Sequence, residues 1–255
     1  MNAAESMTAT SSRTQDRVEA APVRPLPTIT LLIPILNEID GLRAIVPHID
    51  RRLFTDVLVV DGGSTDGSRE YARAQGLRVL EQRRPGLAWG VYDAIVDLAT
   101  DYVIEFSPDG NCPVECLPGL VEKLAAGYDL VVVSRYLPPA RSEDDSPLTA
   151  FGNWMFTKLI RGLGRWPITD ALTIYRGFRR ELILQPDFLH FLRGPVFEPL
   201  VSGLCTLQGR SMCEIPGNEG CRLGGQSKMR PLYNGSCVLL MILRLYVLKF
   251  FGIRV

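Results

Sequence analysis

The sequence has no Cys-x-x-Cys pair, only two histidines and, over its first 26 residues, no apolar run. Its six cysteines (Cys112, Cys116, Cys205, Cys213, Cys221 and Cys237) stand singly, with His48 and His190 remote from them in sequence. This pattern argues against a zinc site and for reduced thiols in a cytosolic compartment. Residues 1–26 are polar and rich in Ala, Ser and Thr, and lack the apolar stretch of a secretory signal. They are expected to be a disordered leader running into the proline-rich 22–27 segment. Net formal charge is zero, and no nucleic-acid partner is expected. An uninterrupted apolar run of about 20 residues, enough for a membrane span, is also missing. The nearest approach, CVLLMILRLYVLKFF over 237–251, is broken by Arg244 and Lys249. An amphipathic helix lying in a membrane interface is the favoured reading over a core helix or a span.

What is present is ordinary globular material: 255 residues, 46% hydrophobic and 22% charged, enough for one sizeable α/β domain. Charge is divided unevenly. Residues 1–150 hold 14 basic and 22 acidic side chains, a net of −8, and residues 151–255 hold 14 and 6, a net of +8. An acidic half suits a cation and a basic half suits anions.

Short β-branched and leucine-rich runs alternate with helical spacing. Buried strands are predicted at Thr28–Pro34, Val57–Asp61, Leu77–Glu81, Tyr102–Phe106 and Leu130–Val133. Helices are predicted at Gly41–Arg52, Gly86–Ala99, Leu117–Ala126 and Leu148–Leu163, with a further helix after Asp61 capped by Ser64 or Thr65. Beyond Leu163 the alternation is lost. The alternation predicts a parallel sheet with right-handed crossovers. Ligands in such sheets bind beyond the carboxyl ends of the strands. The polar residues Asn37, Glu38, Asp61, Asp109, Asn111, Ser134 and Arg135 fall there.

In Ser107-Pro-Asp109-Gly-Asn111, a carboxylate and an amide oxygen sit two residues apart on a glycine turn, a candidate cradle for a divalent cation. Alone, a Pro-Asp-Gly turn is a weak indication. Asp61 and Glu38 each fit either a contact to a nucleoside or a cap on the next turn. Arg135, Arg176, Arg179, Arg180 and Lys228 are candidate phosphate binders. The 138–147 segment, with Arg141, Glu143, Asp144 and Asp145, reads as a surface loop or lid.

Taken in order, Pro34-Ile-Leu-Asn-Glu38, Val59-Val-Asp-Gly-Gly-Ser-Thr-Asp-Gly67, the Asp109 turn, Ser134-Arg-Tyr136, Asp170 with Gly177-Phe-Arg179, and Gly225-Gln-Ser-Lys228 resemble the family 2 glycosyltransferases. The pattern is most similar to the dolichol-phosphate mannose synthase-like, or polyprenyl-phosphate glycosyltransferase, branch. The resemblance spans residues 28 to about 230. It implies a Rossmann-like A-type glycosyltransferase fold, mostly parallel in its central sheet and flanked by helices, with the C-terminal amphipathic helix appended. The implied organisation is a leader (1–26), a catalytic domain (27–235) and the terminal helix (236–255).

The resemblance also implies an inverting transfer of a sugar from a nucleotide-diphosphate donor to a polyprenyl phosphate, with Mg²⁺ or Mn²⁺ as cofactor. Pro34, Leu36, Glu38 and Asp61 would line the nucleotide, and Arg179 and Ser227 would join them at the donor. Asp109 and Asn111 would hold the metal, Arg135 would meet the phosphates, and Lys228 would close over the diphosphate. One position departs from the family: the first Asp of its Asp-x-Asp motif is Ser107 here. The favoured account is a metal held by Asp109, Asn111, water and phosphate, because Mg²⁺ commonly keeps several waters. Two other readings remain at this point. One is a hydroxyl acceptor with Asp170 or Glu198 as base. The other is a non-catalytic nucleotide-binding subunit that partners a membrane protein. The expected location is the cytoplasmic face of a membrane, held peripherally.

Overall fold

The apolar run that opens the pattern forms β1 (Ile29–Ile35), every residue of which is buried. It lies near the middle of a seven-stranded sheet in a computed structural model that describes residues 26–223 and 230–253. The remaining strands are β2 (Asp56–Asp61), β3 (Arg78–Glu81), β4 (Tyr102–Glu105), β5 (Leu130–Ser134), β6 (Arg176–Arg179) and β7 (Met212–Pro216). Their order across the sheet is β3-β2-β1-β4-β6-β5-β7. All neighbouring pairs run parallel except those made by β6, which is antiparallel to both β4 and β5.

Strand periodicity sorts the core into two layers. Leu32, Leu58, Val60, Val103, Leu130, Val132 and Phe178 face one side. There they meet α3 (Leu87–Val96), α5 (Pro147–Arg161), α6 (Pro186–Phe191), α7 (Phe197–Gln208) and α8 (Pro231–Phe251). Leu31, Ile33, Val57, Val59, Ile104, Val131 and Val133 face the other, against α1 (Ile39–Ile45), α2 (Ser68–Ala74) and α4 (Leu117–Ala125). Burial on both faces explains why the strands read as continuous apolar runs rather than alternating ones.

The predicted helix over Gly41–Arg52 is shorter than expected. It ends at Ile45 and continues as separate 3₁₀ turns at Val46–His48 and Arg51–Leu53. Pro47 lacks the N–H an α-helix needs there. The capping expectation for α2 also fails. Its N-cap is Gly67, with φ 92°, and makes no side-chain cap; Ser64 is used elsewhere. Beyond α5, β6 and β7 were not anticipated. β6 carries two arginines in four residues and does not look like a buried strand.

α8 begins at Pro231, ahead of Cys237, and is long and apolar enough to cross a membrane by length and composition. One stripe, Val238, Met241, Ile242 and Leu245, is buried on the body of the domain. Tyr246 Oη donates to Leu159 O at 2.8 Å and Lys249 Nζ to Gly162 O at 2.7 Å, which ties α8 to the end of α5. The opposite side exposes Leu239, Leu240, Leu243, Val247 and Phe250.

Candidate active site

The strand order reverses between β1 and β4, because the chain builds outward in one direction to β2 and β3 and in the other through β4. Loops leaving adjacent strands diverge at such a switch point and leave a crevice. Two loops meet at this one: Leu36–Glu38 after β1 and Ser107–Asn111 after β4.

The first loop turns at Asn37, whose φ of 60° is left-handed, a conformation asparagine tolerates. Asn37 N donates to Ser64 Oγ at 2.9 Å, and Asn37 Oδ1 accepts from Thr65 N at 2.8 Å. Glu38 N donates to Ser68 Oγ at 2.9 Å. These bonds fasten the β1 loop to the loop after β2. Asp61 lies beside them, 1% exposed. Its Oδ1 accepts from Ser64 N at 2.9 Å, while Oδ2 is buried with no hydrogen-bond partner among the described residues, the nearest cation among them, Arg69, being 3.8 Å away. A buried acceptor oxygen left open is costly unless something donates to it. Pro34 sits differently from expectation. Pro34 is buried inside β1 opposite Val60, so it shapes the strand and offers no surface to a ligand. Leu36 is half-buried and packs beside Gly62.

The second loop holds Asp109, 4% exposed. Its Oδ1 accepts from Asn111 N at 3.2 Å and its Oδ2 meets Arg222 Nη2 at 2.7 Å. Asn111 Nδ2 donates to Asp144 Oδ2 at 3.0 Å, and Asn111 Oδ1 is buried without a partner. Close approach makes two glycines necessary here. A Cβ on Gly41 would lie 2.2 Å from Pro108 O, so only glycine lets α1 press against this turn. Gly110 has φ 96°, and a Cβ on it would lie 2.6 Å from Leu223 Cγ.

Arg135, after β5, is placed at this edge but is already engaged. Its Nε and Nη2 donate to Asp170 Oδ2 and Oδ1 at 2.7 and 3.0 Å, and Nη1 reaches Glu219 at 3.2 Å. Burial works against its charge, yet Asp170 and Glu219 together hold its pKa above the ordinary value. It forms one wall of an open cleft of about 610 Å³ that also includes Tyr136, Arg141, Ser142, Asp145 and Ser146 at the start of α5.

Two other arginines are not at the site. Arg176 is fully buried. Its guanidinium donates to Ala171 O, Thr173 O, Glu198 O and Ser202 Oγ, and it serves the packing of α7 on the sheet. Arg179 is at the opposite end of the sheet. β6 runs antiparallel, so Arg179 pairs with Tyr102, the first residue of β4. There it bonds Asp129 Oδ1 at 2.9 Å and stacks 4.7 Å over the Tyr102 ring. The donor-binding expectation for Arg179 is therefore corrected by strand direction alone. Ser227 and Lys228 lie outside the described residues.

Two features were missed by reading residues alone. Arg222 joins the two loops, with Nη1 3.2 Å from Glu38 Oε1 and Nη2 on Asp109. Glu105, at the end of β4, is fully buried, and neither carboxyl oxygen has a hydrogen-bond partner among the described residues. Burial pushes its pKa well up, Glu198 adds repulsion, and Arg176 opposes them.

The sequence pattern of "Glycosyl transferase family 2" matches residues 30–185, more than half of the chain. The chain belongs to glycosyl transferase family 2. It is a glycosyltransferase, and its mostly parallel, helix-flanked sheet is the A-type fold. Glycosyltransferase AglJ of Haloferax volcanii is 27% identical over 218 residues, covering 85% of this chain and 71% of that protein. Dolichyl-phosphate hexose transferase of the same organism is 28% identical, covering 82% and 90%. Undecaprenyl-phosphate 4-deoxy-4-formamido-L-arabinose transferase of Klebsiella pneumoniae is 28% identical, covering 80% and 63%. Glucosyl-3-phosphoglycerate synthase of Mycobacterium tuberculosis, solved with Mn²⁺, UDP-glucose and phosphoglyceric acid, has the same fold at TM-score 0.67. It is 20% identical, over 86% of this chain and 79% of that one.

Proposed function

We propose that this family 2 glycosyltransferase moves a sugar from a nucleoside-diphosphate donor onto the phosphate of a polyprenyl-type lipid at a membrane surface. The observation that carries the acceptor choice is the state of the two carboxylates that could serve as a general base. Asp170 is neutralised by the two-point bridge from Arg135 and also accepts from Thr173 N at 3.2 Å. Glu198 lies under the sheet beside Arg176 and Glu105, its pKa raised by burial. Neither is placed to take a proton from a sugar hydroxyl. A phosphate oxygen is already anionic at neutral pH and needs no base. The names of two relatives, a dolichyl-phosphate and an undecaprenyl-phosphate transferase, support the same acceptor chemistry.

The residues fit a divalent cation. Asp109 supplies a carboxylate, and Asn111 Oδ1 is a buried oxygen with no hydrogen-bond partner among the described residues. Asp109 and Asn111 would hold Mg²⁺ or Mn²⁺, which supplies charge neutralisation for a departing diphosphate. The fold relative solved with Mn²⁺ and UDP-glucose supports this choice. Asp61 Oδ2 accepts a hydrogen bond from the donor's base or ribose, with Glu38 beside it. Arg141, on the lip of the cleft beside Arg135, draws in the acceptor phosphate. Ser227 and Lys228, which lie outside the described residues, are assigned to the donor diphosphate by the family resemblance. In the transfer, the lipid phosphate oxygen forms a bond to the anomeric carbon. The bond from that carbon to the diphosphate breaks, its electron pair leaving on the terminal phosphate oxygen, and the configuration inverts. No proton moves, so rate acceleration comes from alignment and charge.

The exposed side of α8 and the Leu148, Phe151 and Trp154 row on α5, beside the cleft, give the domain an apolar face. Lys158 lies 4.3 Å over Trp154. Apolar side chains fringed by Lys and Arg suit peripheral attachment to the cytoplasmic leaflet. The test is transfer of labelled sugar from UDP- or GDP-sugars into organic-soluble product, with Mn²⁺ and membrane lipid extract. Full turnover by Asp109→Ala overturns the metal assignment. Product on a neutral saccharide and none on lipid overturns the acceptor.

A further inference from the structure

Arg222 holds the Asp109 oxygen that the proposed metal would use, and its surroundings keep it there. Its guanidinium spans the switch point, 2.7 Å from Asp109 Oδ2 and 3.2 Å from Glu38 Oε1, and is about a quarter exposed. The backbone is fixed as well as the side chain. Leu223 N donates to Asp109 O at 2.7 Å, and Leu223 packs on the face of Gly110 that a Cβ would fill. The strap leading to it is laced to the 138–146 loop. Glu219 N donates to Arg141 O, Glu143 N to Glu219 O, and Arg141 N to Asn218 Oδ1. Glu219 in turn bonds Ser142 and Arg135. Among the described residues, the carboxylates paired with the guanidinium are Glu38 and Asp109, one from each loop.

We propose, resting on the metal reading above, that Arg222 is a counter-ion to Asp109 and Glu38 that must leave Asp109 before a divalent cation can bind. A divalent ion on Asp109 Oδ2 would lie against the positive guanidinium 2.7 Å from that oxygen, and Asp109 Oδ1 already accepts from Asn111 N. Arginine and metal therefore compete for Oδ2. Two carboxylates, both mostly buried, would repel each other with neither cation present, so the arginine keeps the crevice assembled between turnovers. On this proposal, release of the guanidinium loosens the strap that also carries the Leu223–Asp109 backbone bond, so cation entry is coupled to residues 217–223. Ser107 sharpens the competition. With no carboxylate at the first position of the motif, the entering ion has one anionic ligand from this turn, and that is the one Arg222 holds.

The experiment is Mn²⁺ titration, by calorimetry or by loss of the free-ion EPR signal, without nucleotide. It uses the wild type, Arg222→Ala, Arg222→Lys and Asp109→Asn. Removal of a charge-assisted competitor should tighten Mn²⁺ binding by about tenfold in Arg222→Ala, and by less in Arg222→Lys. In parallel, hydrogen exchange at the Leu223 amide of the wild type should accelerate when Mn²⁺ and UDP are added, and in Asp109→Asn without them. Equal or weaker Mn²⁺ binding by a folded Arg222→Ala protein, with Asp109→Asn binding none, overturns this inference and leaves the metal reading standing. No Mn²⁺ binding by any of the proteins overturns both.

Discussion

Arg135 and Asp170 are joined by two parallel hydrogen bonds, 2.7 and 3.0 Å, with the aspartate wholly buried. The fork of an arginine matches a carboxylate in a way no other cation does. The pair fixes the corner where β5 leaves the sheet, and Glu219 brings the strap onto the same guanidinium. Removal of the arginine leaves Asp170 buried and uncompensated. Arg135→Ala should therefore lose about 3–5 kcal/mol of stability. Arg135→Lys should recover part of that, because one point charge replaces two bonds. Urea unfolding of both variants checks it; a loss below 1 kcal/mol for the alanine would show the pair to be dispensable.

Asp109 should matter to turnover far more than to folding. Its carboxylate faces Arg222 and the crevice, and the backbone bonds that shape its turn survive substitution. Asp109→Asn is expected to cut sugar transfer by about 10²–10³, comparable to removal of one charge-stabilising group in other sites, with its melting temperature close to that of the wild type. Steady-state rates over a range of Mn²⁺ concentrations separate lost affinity from lost catalysis.

Glu105 gives a pH prediction. Burial raises its folded-state pKa well above 4.5, the usual value for the unfolded chain. The folded protein therefore holds the proton more tightly, and this contribution to stability is full below pH 4.5. It is lost as pH climbs from there toward the folded-state value. Glu105→Gln keeps the shape without the proton. Its stability relative to wild type should improve by up to about 1.4 kcal/mol per pH unit above 4.5. Thermal melts at pH 5 and pH 7.5 test this; a constant difference between the proteins would contradict it.

The two sides of α8 should separate cleanly. Met241 is 3% exposed, and Met241→Ala should cost about 2–5 kcal/mol of stability. Leu240 and Leu243 are more than half exposed. Changing both to serine should leave melting nearly unchanged and lower co-sedimentation with lipid vesicles. Equal vesicle binding would place the membrane contact elsewhere.

The parallel half of the fold was legible because strands buried on both faces announce themselves as apolar runs. The turn at Ser107–Asn111 was legible because it follows such a run. What failed was whatever depends on direction or on distant partners. Arg176 and Arg179 looked alike in sequence. The antiparallel course of β6 carries the second to the far edge of the sheet, and carbonyls from residues 171, 173 and 198 bury the first. Pro47 stops α1 short of Arg52, a local stop signal that the apolar spacing of Leu42, Ile45, Val46 and Ile49 masks. Arg222 had no local pattern at all; its meaning comes from Glu38 and Asp109, 184 residues and more than a hundred residues away.

The most direct test offers one enzyme preparation, with Mn²⁺ and its sugar nucleotide, two lipids that differ in a single group: a polyprenyl phosphate and the matching polyprenol. Release of nucleoside diphosphate with formation of glycosyl lipid should occur with the phosphate and not with the alcohol. Turnover on the alcohol alone would contradict the account, because it would require a base that neither Asp170 nor Glu198 is placed to supply.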